Sequence, residues 1–586
     1  MSENAILYGT DQPAVASTPL ARAPWSFTFE AGSLRHIKLN GAEAIRSIAF
    51  LVRDRDWGTL VPQIQDEVTS QTETALCIAY TATYESGSAQ LIVDIEVEIT
   101  EGRLSMRAEG ITKGDFETNR AGFTVLHPID GVAGQPVHVG HSDGTIEEAT
   151  FPMLIEPWQP FMDIVSLTHT VGNNSVTCRL VGDTFEMEDQ RQWGDASYKT
   201  YNRPLAKPWP YQIADGNGLS QSVVLSIGAP LPYAPARSKG HKAANAIFPD
   251  MALVLTPDDA RRLAASPSDL DRVNPQRLLC HLDMDLGGLD AQVQAFAAAQ
   301  LACPDVVYDL ELILACADPP AVELGAVAAR MQALGFVPAS VMVCPSVDRQ
   351  STPPGSDWPD CPPLEDIHNA AADPFPDVAR GGGMVSFFPE LNRKRPPLET
   401  LDFVSHGLCP IVHAADDLSV IETLETIPHI TRSARAIFGD MPYRIGPATI
   451  AMRQNPYGDR VIPNPDAQRA CMTDDDPRHR GQFGAAYVMG LATALASANI
   501  AVWTPAAVYG PRGIGGTDGE GDADWPIAQA LAMLATLAGQ RVKSAQISDG
   551  MAQLSVGDTV VRANLTPNDN GGLGPFRWQA TGETSD

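Results

Sequence analysis

Leu278-Leu279-Cys280-His281-Leu282-Asp283, then an Ala-rich stretch from Leu289 to Leu301, then Tyr308 to Leu314: these three pieces decide the fold. A short apolar run bounded by turn residues reads as a buried strand, and a stretch of helical composition and length between two such runs reads as a crossover. Parallel strands need a crossover of this kind, whereas antiparallel strands are joined by tight turns. The same rhythm continues through apolar runs at Ser340 to Cys344, Met384 to Phe388, Phe403 to Ser405, Tyr443 to Ala451 and Ile500 to Trp503. Helical stretches fall between them, among them Ala321 to Leu334, Leu418 to Phe438 and Gln482 to Ala498. Repeated βα units over about 290 residues predict a closed, TIM-like (β/α)8 barrel, although only seven strands can be counted.

Towards the N-terminus the period changes to two. Ser26-Phe27-Thr28-Phe29, Leu34 to Leu39 closed by Asn40-Gly41, and Leu91 to Ile99 joined by Glu101-Gly102 to Arg103-Leu104-Ser105-Met106-Arg107 read as hairpins of an antiparallel β-sandwich. A Pro-rich, small-residue segment from Pro230 to Ala244 separates the two rhythms. Beyond the barrel, Pro526 opens an Ala/Leu-rich helix to about Leu537, followed by alternating runs at Ala545 to Ile547, Met551 to Val556 and Thr559 to Leu565. The expected organisation is a sandwich over residues 1–240, a barrel over 241–540, and a small β-sheet over 541–586 that packs on one of them. A chain of 586 residues exceeds what one hydrophobic core supports, which agrees with several domains.

Composition narrows the function. Lys and Arg number 41 against 71 Asp and Glu, a net charge of −30 whose field repels phosphate backbones and anionic lipid, so neither nucleic acid nor membrane is expected as a partner. Met1-Ser2-Glu3-Asn4 has no basic n-region or apolar h-region, and no run approaches a membrane span, which predicts a cytoplasmic protein. The nine cysteines are scattered and form no C-x-x-C pair, so neither a disulfide framework nor a zinc ribbon is expected. There is no P-loop or strand-linked G-x-G-x-x-G, and no EF-hand; no cofactor is predicted. Gly140-His141-Ser142-Asp143-Gly144 fits G-x-S-x-G but lies in the all-β region without the following helix that a nucleophile elbow needs. His138 and His141 are too isolated for a zinc site, and Gly515-Gly516-Thr517-Asp518-Gly519-Glu520-Gly521 reads as a surface loop.

In a barrel, polar residues at the C-terminal strand ends are the ones to weigh. Phe387-Phe388-Pro389-Glu390-Leu391-Asn392-Arg393 brings a carboxylate, an amide and a guanidinium to what counts as the fourth strand end. There Glu390 can act as general acid or base, or simply pair with Arg393. In Cys409 to Asp417, after the fifth counted strand, His413 is a candidate base oriented by Asp416 or Asp417, and Asp417 reads as the cap of the next helix. Period two puts His281, Asp283 and Asp285 on one strand face, a spacing suited to a metal or to a satisfied polar barrel lining, and no metal is predicted. Glu311, inside the next strand, is a candidate partner for a basic residue. The sandwich has a dense polar and aromatic segment of its own, Asp183 to Trp193 with Asp195 to Tyr201, and a second at Arg53 to Gly58. Both suit either polyol binding or an ion-pair network.

Four blocks, Ile48 to Thr59, Phe185 to Trp193, Pro410 to Asp417 and Tyr443-Arg444-Ile445-Gly446-Pro447, together resemble the D-apionate lactonases of bacterial D-apiose breakdown. The resemblance runs from the first hairpins to about residue 515 and implies hydrolysis of D-apionolactone to D-apionate, with a small sugar lactone as partner. It brings no catalytic residues with it. On strand-end position alone, Glu390 and His413 are the expected acid–base pair, with Asn392, Arg393, Asp416, Glu311 and His281 as substrate-binding residues. The rival expectations are a glycoside hydrolase built around Glu390 and a non-catalytic carbohydrate-binding protein. Against the first, Trp503-Thr504-Pro505-Ala506-Ala507-Val508-Tyr509 places no carboxylate at the last strand end.

Overall fold

A computed structural model describes residues 2–55, 57–231, 246–352, 356–457, 461–515 and 525–582. Asp56 of the Arg53 to Gly58 segment, most of the Pro230 to Ala244 segment and residues 516–521 of the glycine-rich loop lie outside them. Two compact units are formed, one from Ala14–Gln192 with Ala196–Lys239, the other from Met1–Pro13, Trp193–Asp195 and Gly240–Asp586.

The first unit is antiparallel throughout. Seven strands form one sheet and nine another. The alternation in the sequence becomes alternation in burial: along Ala89–Ile99, Leu91, Val93, Ile95, Val97 and Ile99 are buried while Asp94, Glu96 and Glu98 are exposed. Those side chains share one core with Leu34, Ile48 and Phe123 of the other sheet, so each sheet covers the apolar face of the other.

In the second unit eight parallel strands close into a barrel: Asp250–Leu255, Arg277–Asp283, Val307–Leu314, Ser340–Pro345, Ala379–Phe387, Phe403–Leu408, Tyr443–Ala448 and Val502–Ala507. The strand missing from the sequence count is the first. Met251-Ala252-Leu253-Val254-Leu255 is an apolar run, but it follows directly on the Pro-rich segment, and it closes the barrel against the eighth strand. Every later strand number therefore rises by one. Glu390 follows the fifth strand and His413 the sixth.

A second correction concerns Glu390 itself. The fifth strand ends at Phe387, and Phe388–Lys394 is a short helix started by Pro389 in its first turn, where a missing N–H costs nothing. The stretch Leu418 to Phe438 is likewise divided, into Asp417–Glu422, a 3-10 turn Thr423–Glu425, and Ile427–Phe438, with Pro428 opening the last piece. The C-terminal sheet has four strands, the last of them, Trp578–Gly582, absent from the sequence reading. It packs on the barrel helix Gln482–Leu495, where the rings of Phe483 and Phe576 stand 5.1 Å apart. Among the described residues no helix is long and apolar enough to cross a membrane.

Candidate active site

The loops that follow the barrel strands enclose an open cavity of ≈ 570 Å³ whose walls include His281, Asp283, Arg349, Arg453, Gln454 and Asn455. A smaller recess of ≈ 110 Å³ shares His281 and Arg453 and runs on to Tyr509 and Arg512. His281 and Glu311 occupy paired positions on the second and third strands, so parallel register puts the two side chains in one layer. The His281 ring joins through Nδ1 to Glu311 Oε1 at 2.7 Å. Arg453, from the loop after the seventh strand, donates to both Glu311 oxygens at 2.6 and 3.2 Å and to the Val385 carbonyl at 2.8 Å. Among the described residues nothing hydrogen-bonds His281 Nε2.

Burial raises the Glu311 carboxyl, but the Arg453 guanidinium and the His281 ring outweigh it and hold the group at about 2. Glu311 is thus a carboxylate at neutral pH, and it selects the His281 tautomer with the proton on Nδ1. Arg349, from the 3-10 turn Ser346–Arg349 after the fourth strand, donates to Asp283 at 2.5 Å and also binds Asp285. The strand ends at Asp283 and Asp285 lies in the 3-10 turn Met284–Leu286, so the three side chains do not share one strand face as period two predicts, and both carboxylates are engaged by the Arg349 guanidinium. Among the described residues no group of three or more His, Cys, Asp and Glu is placed to hold a metal ion. Burial, and with it the charge of Arg453, keeps Arg512 below its ordinary value.

Glu390 stands behind the wall of the cavity, 2% exposed. Its Oε1 accepts from Arg393 Nη1 at 2.9 Å, Ser351 Oγ at 2.8 Å and the Thr352 amide at 3.1 Å, while Oε2 is buried with no hydrogen-bond partner among the described residues. Arg393 also donates to the Thr352 carbonyl at 3.1 Å. The pair so clamps the segment that follows Arg349 and Gln350, two residues of the cavity wall. Asn392 is buried on the same helix.

His413 lies in the loop after the sixth strand, with both ring nitrogens engaged: Nδ1 with Asp195 Oδ2 at 2.7 Å, Nε2 with the Tyr457 hydroxyl at 3.3 Å. The Trp193 ring meets it edge-on at 5.8 Å. The orienting carboxylate is Asp195, 218 residues away in sequence, rather than Asp416 or Asp417. Asp416 caps the helix, accepting from the Ser419 amide at 2.9 Å, and Asp417 is the first helical residue, paired with Arg469 and Arg478. Of the residues singled out in the sequence, the structure brings His281 and Glu311 together at the cavity, places Glu390, Asn392 and Arg393 behind its wall, and gives Asp416 a capping bond. Arg349 and Arg453 were missed. The signal available for them was the rule that loops after barrel strands carry the chemistry.

A family described as D-apionate lactonase, N-terminal domain, matches residues 5–230, and one described as D-apionate lactonase, TIM barrel domain, matches residues 251–539. A D-apionate lactonase of Brucella anthropi is 44% identical over 550 residues, covering 91% of this chain and 90% of its own. Solved structures give only faint likeness. An endoxylanase of Clostridium papyrosolvens is 10% identical with a TM-score of 0.34, over 54% of this chain and 81% of its own. A fungal β-1,4-galactanase is 10% identical with a TM-score of 0.32, over 48% of this chain and 98% of its own. Neither likeness is strong enough to argue from. With both parts matched in order and a relative of this identity over nearly the whole length, the chain belongs to the D-apionate lactonase family.

Proposed function

We propose that the chain hydrolyses D-apionolactone to D-apionate at the barrel mouth, with His281 as the proton carrier. The observation that carries the reading is the His281, Glu311, Arg453 constellation on the cavity wall. Opening a lactone needs an activated water, donors for the oxyanion and a proton for the leaving alkoxide. Glu311 accepts from Nδ1–H and leaves the Nε2 lone pair to take a proton from water. The water oxygen bonds to the lactone carbonyl carbon, and the oxyanion that forms there meets N–H donors from the wall, Arg453 or Arg349 among them. The ring C–O bond then breaks, the imidazolium returns its proton to the ring oxygen, and the new carboxylic acid releases its own proton to solvent.

His413, in the loop after the sixth strand, is held by a carboxylate in the same way, but its Nε2 is occupied by Tyr457. It ranks behind His281 as base. Glu390 and Arg393 act through the loop they clamp. A glycoside hydrolase would need two carboxyl groups about 5 to 9.5 Å apart and open to substrate. Instead Asp348, the carboxylate that feels the charge of Glu390, is buried and bound to Lys394, and Asp283 on the wall is held by Arg349.

Acid release at constant pH from D-apionolactone, measured beside phenol release from a panel of aryl glycosides, tests the reading. Acid release without phenol is the expected result. Phenol without acid would make the chain a glycoside hydrolase, and saturable binding with neither product a carbohydrate-binding protein.

A further inference from the structure

The polar and aromatic segments of the sandwich converge on one cation. Arg120 is 6% exposed, with its guanidinium 3.9 Å from the centre of the Tyr201 ring and 5.3 Å from that of Trp57. Among the described residues nothing hydrogen-bonds its solvent-sealed Nε, and no carboxylate reaches ion-pair distance of the guanidinium. Nearby Lys199 does have an acid, Glu188 at 2.8 Å, and Glu186 accepts from the Tyr201 hydroxyl at 2.7 Å. Burial pulls Lys199 below its ordinary value despite Glu188, and the charge of Arg120 adds to the pull.

Ring contacts alone do not balance this arrangement. A desolvated cation–π contact returns about 2 kcal/mol, whereas an unpaired buried charge costs several kcal/mol. A chain of ring contacts runs from this cation to exposed surface. Trp57 is half-buried, is held at φ 66°, a backbone conformation that L side chains rarely adopt, and meets the 40% exposed Trp209 edge-on at 5.2 Å. Such strain is retained where the surroundings impose it, often at binding sites.

We propose that Arg120, with Trp57 and Trp209, forms a second binding site, outside the barrel, for the carboxylate of a polyhydroxy acid. A guanidinium pairs a planar carboxylate through two parallel N–H bonds, and indole faces stack on the C–H surface of a polyol. Glu186 and Glu188 in the same patch favour a singly charged ligand over a dianion.

Calorimetric titration with sodium gluconate tests the site. It is done on the full chain carrying Arg453→Met, so that the barrel cavity contributes little. Saturable binding that weakens about tenfold or more in Arg120→Met, and also weakens in Trp57→Leu, is the expected result. No saturable binding, binding untouched by both substitutions, or displacement of gluconate by inorganic phosphate at equal concentration would each overturn it. Should Arg120→Met fail to fold, Trp57→Leu, which changes a half-buried ring, decides alone.

Discussion

His281 in the barrel and His127 in the sandwich are both strand residues whose rings hydrogen-bond to the neighbouring strand, and their chemistry differs at every further step. The partner of His281 is a carboxylate, its other nitrogen has no partner among the described residues, and the ring lines a cavity. His127 is fully buried, bonds through Nε2 to the Thr200 hydroxyl at 3.0 Å, and stacks edge-on with His169 at 5.9 Å. Burial, with His169 adding to it, pushes His127 down to about 3, and burial takes His169 to about 4. At neutral pH both sandwich rings stay uncharged and fixed. A buried histidine becomes a proton carrier only when an acid stabilises its charged form and solvent or substrate reaches the far nitrogen.

The largest expected effect follows from that difference. His281→Ala should lower kcat for lactone hydrolysis by about 10² to 10⁴, the contribution of a general acid–base group, while His127→Leu leaves kcat within about threefold. Glu311→Gln, which frees the His281 tautomer and strips Arg453 of its counter-charge, should cost about 10². A folded His127→Leu protein with kcat reduced like that of His281→Ala would break the comparison.

Glu390 sharpens it from inside the barrel, because it is a buried carboxylate without access to the cavity. Glu390→Gln should lower kcat by less than about tenfold, but removing one partner of the pair with Arg393 should cost about 3 kcal/mol of stability, read as a lower urea midpoint. A hundredfold loss of kcat at an unchanged midpoint would return the acid–base role to Glu390.

Barrel, sandwich and terminal sheet were legible in the sequence because each depends on local periodicity, which one chain carries in plain view. Strand ends were less so: Pro389 turns Phe388–Lys394 into a helix although Phe387-Phe388 continues an apolar run. Half of the candidate site was legible. His281 and Glu311 stand on regular strands, where period two gives their direction. Their arginine, Arg453, comes from an irregular loop 142 residues beyond Glu311, and the carboxylate of His413 from 218 residues before it. Such pairings arise from closure of the barrel and from the inclusion of Trp193–Asp195 in the barrel unit, neither of which leaves a local trace.

The smallest effect sets His127 apart from Glu311 by pH. The folded-state value of His127 lies below its ordinary 6.5, so the unfolded chain binds the proton first as pH falls. Stability is full above that value and is lost as pH drops through 6.5 towards 3. For one such ring the cost between pH 7 and pH 6 is about 0.7 kcal/mol. Glu311 works in another window: its depressed value gives stability that is full above 4.5 and lost as pH falls towards 2. Urea unfolding at pH 7 and pH 6 should therefore show a pH dependence that shrinks by about 0.7 kcal/mol in His127→Leu and is unaltered in Glu311→Gln. An undiminished pH dependence in His127→Leu would mean that the folded sandwich accepts a proton at His127, and the contrast with His281 would then rest on access to substrate alone.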